Sequence, residues 1–315
     1  MSTDSVDVVI PIFNEQASIP ELVARLKTIL NTIENLSWQI ILVENGSTDA
    51  SHFLIQDEVN QDPRIVEVQL VRNFGTEGGI LAGLSVSRAD ACITLQGDLE
   101  DPPELVENLI AKWREGYEVV YGEIVERNST TLLRQLLTAV FYRLATPLSE
   151  GQVLPNHSDY RLMSRMVYEF VVSTKDQSLF LRSLVLWPTN KICSVPFART
   201  SRPRRQSKFN TLRVIGWSFT AILTMSMKPL RFISGIGIIA FAMSLFGLVG
   251  LSLRALFWSI PFPGFGTIVG LQVLFFGLFM MSIGVLAEYI AKILIEVRPR
   301  PKFMISAIHR KGDSR

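Results

Sequence analysis

Three short polar segments stand directly after apolar runs and carry most of the side chains that could do chemistry. They are Pro11–Glu15 (ProIlePheAsnGlu), Glu44–Asp49 (GluAsnGlySerThrAsp) and Gln96–Asp101 (GlnGlyAspLeuGluAsp). Each is rich in carboxylate and amide oxygens. Farther along, Arg199, Arg202, Arg204, Arg205, Lys208 and Arg213 form a basic belt suited to phosphates or to anionic lipid headgroups. Cys92 and Cys193 are the only cysteines and lack metal-ligand spacing, so they read as reduced thiols. The net charge of +2 leaves no strong basic footprint beyond the belt, and no nucleic-acid partner is expected.

The elements that must position these segments are legible. Apolar runs at Val6–Ile10, Gln39–Val43, Val66–Val71, Ala91–Leu95 and Val119–Tyr121 alternate with longer stretches of helical period. That alternation predicts βαβ units and a mainly parallel sheet. In such a sheet ligands gather beyond the carboxyl ends of the strands, so the three segments should converge on one cleft. Ser18 with Glu21, around Pro20, and Asp101 with Glu104, around Pro102 and Pro103, have capping-box spacing, and Gly116 can terminate the second of these helices. Asp49 is a further candidate, either as a helix cap or as a functional carboxylate. The first apolar run is too short for a signal peptide and reads as a strand.

At 315 residues the chain exceeds one core of about 250–300 residues. The surplus is hydrophobic: Phe232–Leu253 and Pro261–Ala287 contain no charged residue, and each is long enough for the roughly 20 residues of a membrane-crossing helix. Lys228 and Arg231 precede the first run and Arg298, Arg300, Lys302, Arg310, Lys311 and Arg315 follow the second, which predicts a multi-pass protein of the cell (inner) membrane with both termini and the catalytic domain cytoplasmic. Leu212–Met227, apolar nearly all round, is expected to lie in the interface. The stripe Leu132, Leu133, Leu136, Leu137, Val140, Phe141 and Leu144 fits either a helix on the core or one on the bilayer. Arg254 is expected to snorkel to headgroups. The resulting organisation is a catalytic domain over 1–210, an interfacial helix over 211–230, a transmembrane hairpin over 231–297 and a basic tail over 298–315.

Taken in order, ValIleProIlePheAsnGlu, GluAsnGlySerThrAsp and GlnGlyAspLeuGluAspProProGlu resemble the signature set of glycosyltransferase family 2. Asp159-Tyr160-Arg161-Leu162, Arg202 with Ser207-Lys208-Phe209, Pro229-Leu230-Arg231, Glu288-Tyr289 and Arg298-Pro299 resemble its polyprenyl-phosphate branch, and the likeness covers nearly the whole chain. The resemblance implies a GT-A nucleotide-sugar-binding domain. It also implies inverting transfer from a nucleotide-sugar donor to a polyprenyl phosphate lipid, with a divalent cation, Mg2+ or Mn2+, on the donor diphosphate. Gln96, Asp98 and Glu100 fall where the family binds that cation, through the hard oxygen donors it prefers. Pro11 and Phe13 would pack on the base, Glu15 would bond the ribose, and Glu44 and Asn45 fall where the family has two nucleotide-binding aspartates. Arg127, Arg202 and Lys208 would neutralise phosphates. Asp159 is the candidate base or orienting group, Asp98 shares the catalytic role, and Glu288 and Arg298 would bind helix to catalytic domain.

The sequence departs from the family at Gln96, usually aspartate, at Glu100, usually glutamine, at Asn45, and at Ile124 where an arginine is common. The first two changes offset each other in charge, which predicts a surviving cation site with its ligands exchanged. Uridine diphosphate glucose is the default donor, undecaprenyl phosphate the default acceptor, and a homo-oligomer is compatible with two spans per protomer. Two alternatives compete: a non-catalytic membrane scaffold, motivated by those departures, and a polysaccharide synthase, which lacks support because GlnxxArgTrp is absent.

Overall fold

The computed structural model describes residues 3–126, 157–174, 181–199, 265–297 and 301–312, with 239, 246 and 253 as isolated helical positions. The chain divides into two units. One joins Met1–Tyr142, Gln152–Lys208 and Pro299–Arg315, and the other comprises Arg143–Gly151 and Phe209–Arg298.

The first unit is built on one eight-stranded sheet. Its strands are β1 (Asp4–Ile12), β2 (Leu36–Glu44), β3 (Ile65–Leu70), β4 (Ala91–Thr94), β5 (Val119–Glu126), β6 (His157–Ser164), β7 (Ile192–Ala198) and β8 (Ile305–His309). They lie in the order β7-β5-β6-β4-β1-β2-β3-β8. β1 pairs in parallel with β2 and β4, β2 with β3 and β5 with β7, whereas β6 and β8 run antiparallel to their neighbours. The expected α/β class and mainly parallel sheet are therefore present. Residues 6–10 of β1 are buried on both faces, as a central parallel strand covered by helices must be.

The helices are α1 (Ile19–Thr32), α2 (Ser51–Gln61), α3 (Gly75–Val86), α4 (Leu105–Arg114), α5 (Arg165–Ser173) and α6 (Leu181–Leu184). In α1 the buried stripe Ile19, Leu22, Val23, Leu26 and Leu30 follows helical period. It joins Ile55 and Val59 of α2 and Leu109 and Ile110 of α4 in a core on one face of the sheet. Ile80, Leu81 and Leu84 of α3, with Val167, Tyr168 and Val171 of α5, fill the other. Gly83 lets α3 lie directly on the sheet, because a β-carbon there would collide with Val9 of β1.

Neither capping box forms. Ser18 precedes α1 without a side-chain cap, since its hydroxyl donates to the carbonyls of Gly97, at 2.6 Å, and Glu15, at 3.0 Å. Asp101 is fully buried against Arg199, and α4 starts at Leu105 without a side-chain cap. Gly116 does end α4, at φ +102° with its N–H on the Trp113 carbonyl. Asp49 does act structurally: its carboxylate accepts the Ser51 N–H at the start of α2 and the Gln16 N–H in the loop ahead of α1.

The stretch after the second apolar run, read above as a basic tail, supplies a strand. β8 adds to the far edge of the sheet, with Glu67 of β3 opposite His309. Glu67 is fully buried; its Oε1 lies 2.7 Å from His52 Nδ1, while Oε2 has no hydrogen-bond partner among the described residues. Burial raises its pKa above the ordinary 4.5 against the opposing pull of His52 and His309. For a carboxyl raised in this way, the stabilisation is complete below pH 4.5 and is lost as pH rises through the elevated value. Glu67→Gln is therefore expected to flatten the fall in thermal midpoint of the full chain as pH rises above 4.5. An unchanged slope would exclude Glu67 as its source.

The second unit contains α7 (Phe265–Val297), a helix of 33 residues. Counting the described residues alone, no helix is long and apolar enough to cross a membrane. Many side chains of α7 fall outside that count, and its sequence has no charge before Glu288. The first apolar run lies outside the described residues except Ile239, Phe246 and Leu253. Outside them too are 132–144, 212–227, Arg254, Arg298 and the Glu288 side chain.

Candidate active site

The three polar segments meet at the carboxyl edge of the sheet, laced together by side chains that cap one another's backbone. Beyond β1, Asn14 adopts a left-handed φ of +56°, tolerated by asparagine. Its side-chain Oδ1 accepts the Thr48 N–H at 2.8 Å and its backbone N–H donates to Ser47 Oγ at 3.2 Å. The Glu15 N–H donates to Ser51 Oγ at 3.0 Å, and Ala50 N–H to Gln16 Oε1 at 3.0 Å. These contacts join the first segment to the second. The Ser18 hydroxyl joins the first to the third through Gly97.

Phe13 is 43% exposed, so its ring is presented at the cleft rather than spent on the core. Pro11 and Glu15 are partly buried beside it. Glu44 is buried and its Oε1 accepts the Ser47 N–H. Asn45 is also buried, and its amide bridges to the loop after β3: Phe74 N–H donates to Oδ1 and Nδ2 donates to the Gly75 carbonyl, both at 2.9 Å. Asn45 therefore shapes the cleft through a loop missed in the sequence, although that loop also follows a parallel strand. There the Arg72 guanidinium lies 4.3 Å over the Phe74 ring.

Gly46 makes this junction close. At φ +73° it sits where a β-carbon would come within 2.6 Å of Asn73 N and 2.8 Å of the Arg72 carbonyl carbon, both backbone atoms that cannot swing aside. The left-handed backbone alone costs a substituted residue about 1–2 kcal/mol. Gly46→Ala is expected to displace the loop around residues 72–74 and to raise the donor KM about tenfold, with kcat much less affected. Steady-state kinetics on the two chains check this.

Beyond β4, the third segment turns sharply at Leu99, whose φ of +58° is strained for a leucine. The turn brings the Glu100 N–H to Asp98 Oδ1 at 3.1 Å and sets two carboxylates on one bend. Next to it on β6, Asp159 is gripped by Arg161, with Nη2 2.8 Å from Oδ1, and approached by Gln96, with Nε2 3.5 Å from Oδ2. Arg199, read above as part of the phosphate belt, is committed instead to Asp101. Its Nε lies 2.8 Å from Oδ1 and its Nη2 3.2 Å from Oδ2, while Nη1 stands 3.6 Å from Glu100 Oε2. Asp101 also accepts the Ser158 hydroxyl at 3.2 Å. Arg127, Arg202 and Lys208 lie outside the described residues.

Gln96, Asp98 and Glu100 contribute side-chain oxygens, a donor set whose chemistry would fit a hard divalent cation. Among the described residues, no group of three or more His, Cys, Asp and Glu side chains is arranged to hold a metal; the set has two carboxylates, and its third member is an amide.

A parallel-sheet domain with an acidic bend and an exposed ring at its carboxyl edge defines a ligand-binding α/β domain of the nucleotide-binding kind. Residues 7–171 match the family model described as glycosyl transferase family 2, and the chain belongs to that family. It is 31% identical to the SfII prophage-derived bactoprenol glucosyl transferase of Shigella flexneri, over 97% of this chain and 98% of that one. It is 33% identical to the undecaprenyl-phosphate 4-deoxy-4-formamido-L-arabinose transferase of Pseudomonas paraeruginosa, over 99% and 92% respectively. Among solved structures, glucosyl-3-phosphoglycerate synthase from Mycobacterium tuberculosis in complex with uridine diphosphate is 20% identical. It covers 70% of this chain and 79% of its own with a TM-score of 0.47, too distant to transfer any ligand.

Proposed function

We propose that the chain is an inverting polyprenyl-phosphate glycosyltransferase with a GT-A catalytic domain, moving glucose from a uridine diphosphate donor to undecaprenyl phosphate at the cytoplasmic face of the cell membrane. The observation that carries this reading is the pairing, at one edge of the sheet, of the Asp98–Glu100 bend with the clamped carboxylate of Asp159. Relatives named for transfer to bactoprenol and for undecaprenyl phosphate support the acceptor class.

In this mechanism Pro11 and Phe13 hold the base, because an exposed ring face suits stacking. Glu15 bonds the ribose, and Glu44 and Asn45 shape the wall beside it. Gln96, Asp98 and Glu100 would hold Mg2+ or Mn2+, which when bound neutralises charge on the departing diphosphate. Arg127, Arg202 and Lys208 neutralise phosphate oxygens. A phosphate monoester with a second pKa near 6 is largely dianionic at pH 7, so the acceptor needs little activation. Asp159 orients it and can take up its residual proton.

Two membrane helices would keep this edge near a lipid whose phosphate stays at the bilayer surface. In support, α7 has 33 residues, about 50 Å at 1.5 Å each. It leaves Phe276 61%, Phe279 58% and Leu286 52% exposed, a surface that water would penalise and lipid would not. A homo-oligomer is part of the reading only as an arrangement two spans would permit.

A donor screen tests it: uridine, cytidine and guanosine diphosphate sugars, undecaprenyl phosphate in detergent, and Mn2+ or Mg2+. Glucose transfer to the lipid from the uridine donor is expected. Transfer from a different donor would correct the base or sugar, whereas neither transfer nor hydrolysis of any donor would favour the scaffold reading.

A further inference from the structure

Asp159 is approached on both carboxylate oxygens, by Arg161 of β6 and by Gln96 just past the end of β4, and Gln96 is one of the positions at which the sequence departs from the pattern it resembles. β4 and β6 are antiparallel with Thr94 opposite Arg161 as their last pair. Two residues past the end of β4 and two back along β6, continuation of the same register brings Gln96 beside Asp159, where the amide Nε2 lies 3.5 Å from Oδ2. From the other side Arg161 Nη2 lies 2.8 Å from Oδ1. The Arg161 side chain is only 7% exposed and its Nη1 donates to the Leu181 carbonyl at 3.3 Å, so the guanidinium cannot drift. The Asp159 main chain is fixed as well, its carbonyl accepting the Thr94 hydroxyl at 2.7 Å.

We propose that Gln96 and Arg161 are positioning residues that hold Asp159, one on each carboxylate oxygen, in the orientation the acceptor phosphate requires. The inference rests on the reading of Asp159 given above. A carboxylate at position 96 would face Asp159 across the strands, and like charges directly opposite repel. An amide removes that repulsion and donates a hydrogen bond, while its carbonyl oxygen stays available to the cation. Gln96 thus links the acidic bend to the carboxylate of the acceptor side.

The test uses the full chain in detergent with UDP-glucose, undecaprenyl phosphate and Mn2+, and Mn2+ alone for binding by electron paramagnetic resonance. Gln96→Leu should lower kcat about tenfold more in the unaltered chain than in one already carrying Asp159→Asn, any loss common to both backgrounds being that of its oxygen at the cation site. Arg161→Met should follow the same pattern and Arg161→Lys should recover most of the loss. Because Arg161 is buried and its loss can unfold the chain, Gln96→Asp gives a second readout: tighter Mn2+ binding with slower turnover. An equal loss from Gln96→Leu in both backgrounds would confine Gln96 to the cation site or to the fold and overturn the proposal, as would faster turnover in Gln96→Asp. Full activity of Asp159→Asn would instead remove Asp159 from the reaction, a failure distinguishable from failure of the clamp.

Discussion

Asp98→Ala is expected to lower sugar transfer about a thousandfold while leaving the fold intact. Removing one preorganised group that stabilises transition-state charge typically costs a factor of 10²–10³, and a bound cation contributes several kcal/mol of such stabilisation. Asp98 occupies the bend created by the left-handed Leu99, where its Oδ1 accepts the Glu100 N–H. It is only partly buried, so truncation leaves no cavity. Glu100→Gln should cost less, because Glu100 stands 3.6 Å from Arg199 and shares its charge with that residue. The check is radiolabelled sugar transferred to lipid by chains of matched thermal midpoint. Asp98→Ala within tenfold of the unaltered chain would remove the acidic bend from the chemistry.

Arg199→Met should produce the largest loss of stability, about 2–3 kcal/mol, corresponding to a fall in thermal midpoint of about 5–10 °C. Asp101 is wholly inaccessible and takes two hydrogen bonds from this guanidinium, so deleting Arg199 strands a buried carboxylate. The estimate lies below the usual 3–5 kcal/mol for breaking a buried pair because the Arg199 side chain is 34% exposed and water can partly replace it. Replacing both partners, Arg199→Met with Asp101→Leu, should recover much of the loss. A midpoint unchanged in Arg199→Met would show that the pair contributes little. The guanidinium joins the end of β7 to the acidic bend, so the variant should also lower transfer.

The five strands β1 to β5 were legible because each is a short run of buried apolar residues between helical periods, and the rule for parallel sheets then located the cleft. Helix starts were less legible. Ser18-x-x-Glu21 and Asp101-x-x-Glu104 have the local spacing of capping boxes, but Ser18 Oγ is taken by Gly97, 79 residues away, and Asp101 by Arg199, 98 residues away. Local pattern cannot anticipate a tertiary partner of that separation. The same holds for Asn45, whose amide is spent on the Phe74–Gly75 loop. Asp159 was found through its motif. Its contact with Gln96 follows from the antiparallel insertion of β6 beside β4, an order that helix and strand periodicities do not encode.

β8 has a practical consequence for dissection of the molecule. Its residues, Ile305–His309, come after α7, yet they complete the sheet and cover the outer edge of β3. Truncation ahead of residue 209 would bare the main-chain donors and acceptors of β3 and half-uncover Glu67, inviting strand-to-strand association between copies. A version lacking the second unit should therefore retain 301–312 in covalent connection with the sheet. During synthesis, too, this last strand can dock only after α7 has left the ribosome, so closure of the sheet must follow the translation of everything between.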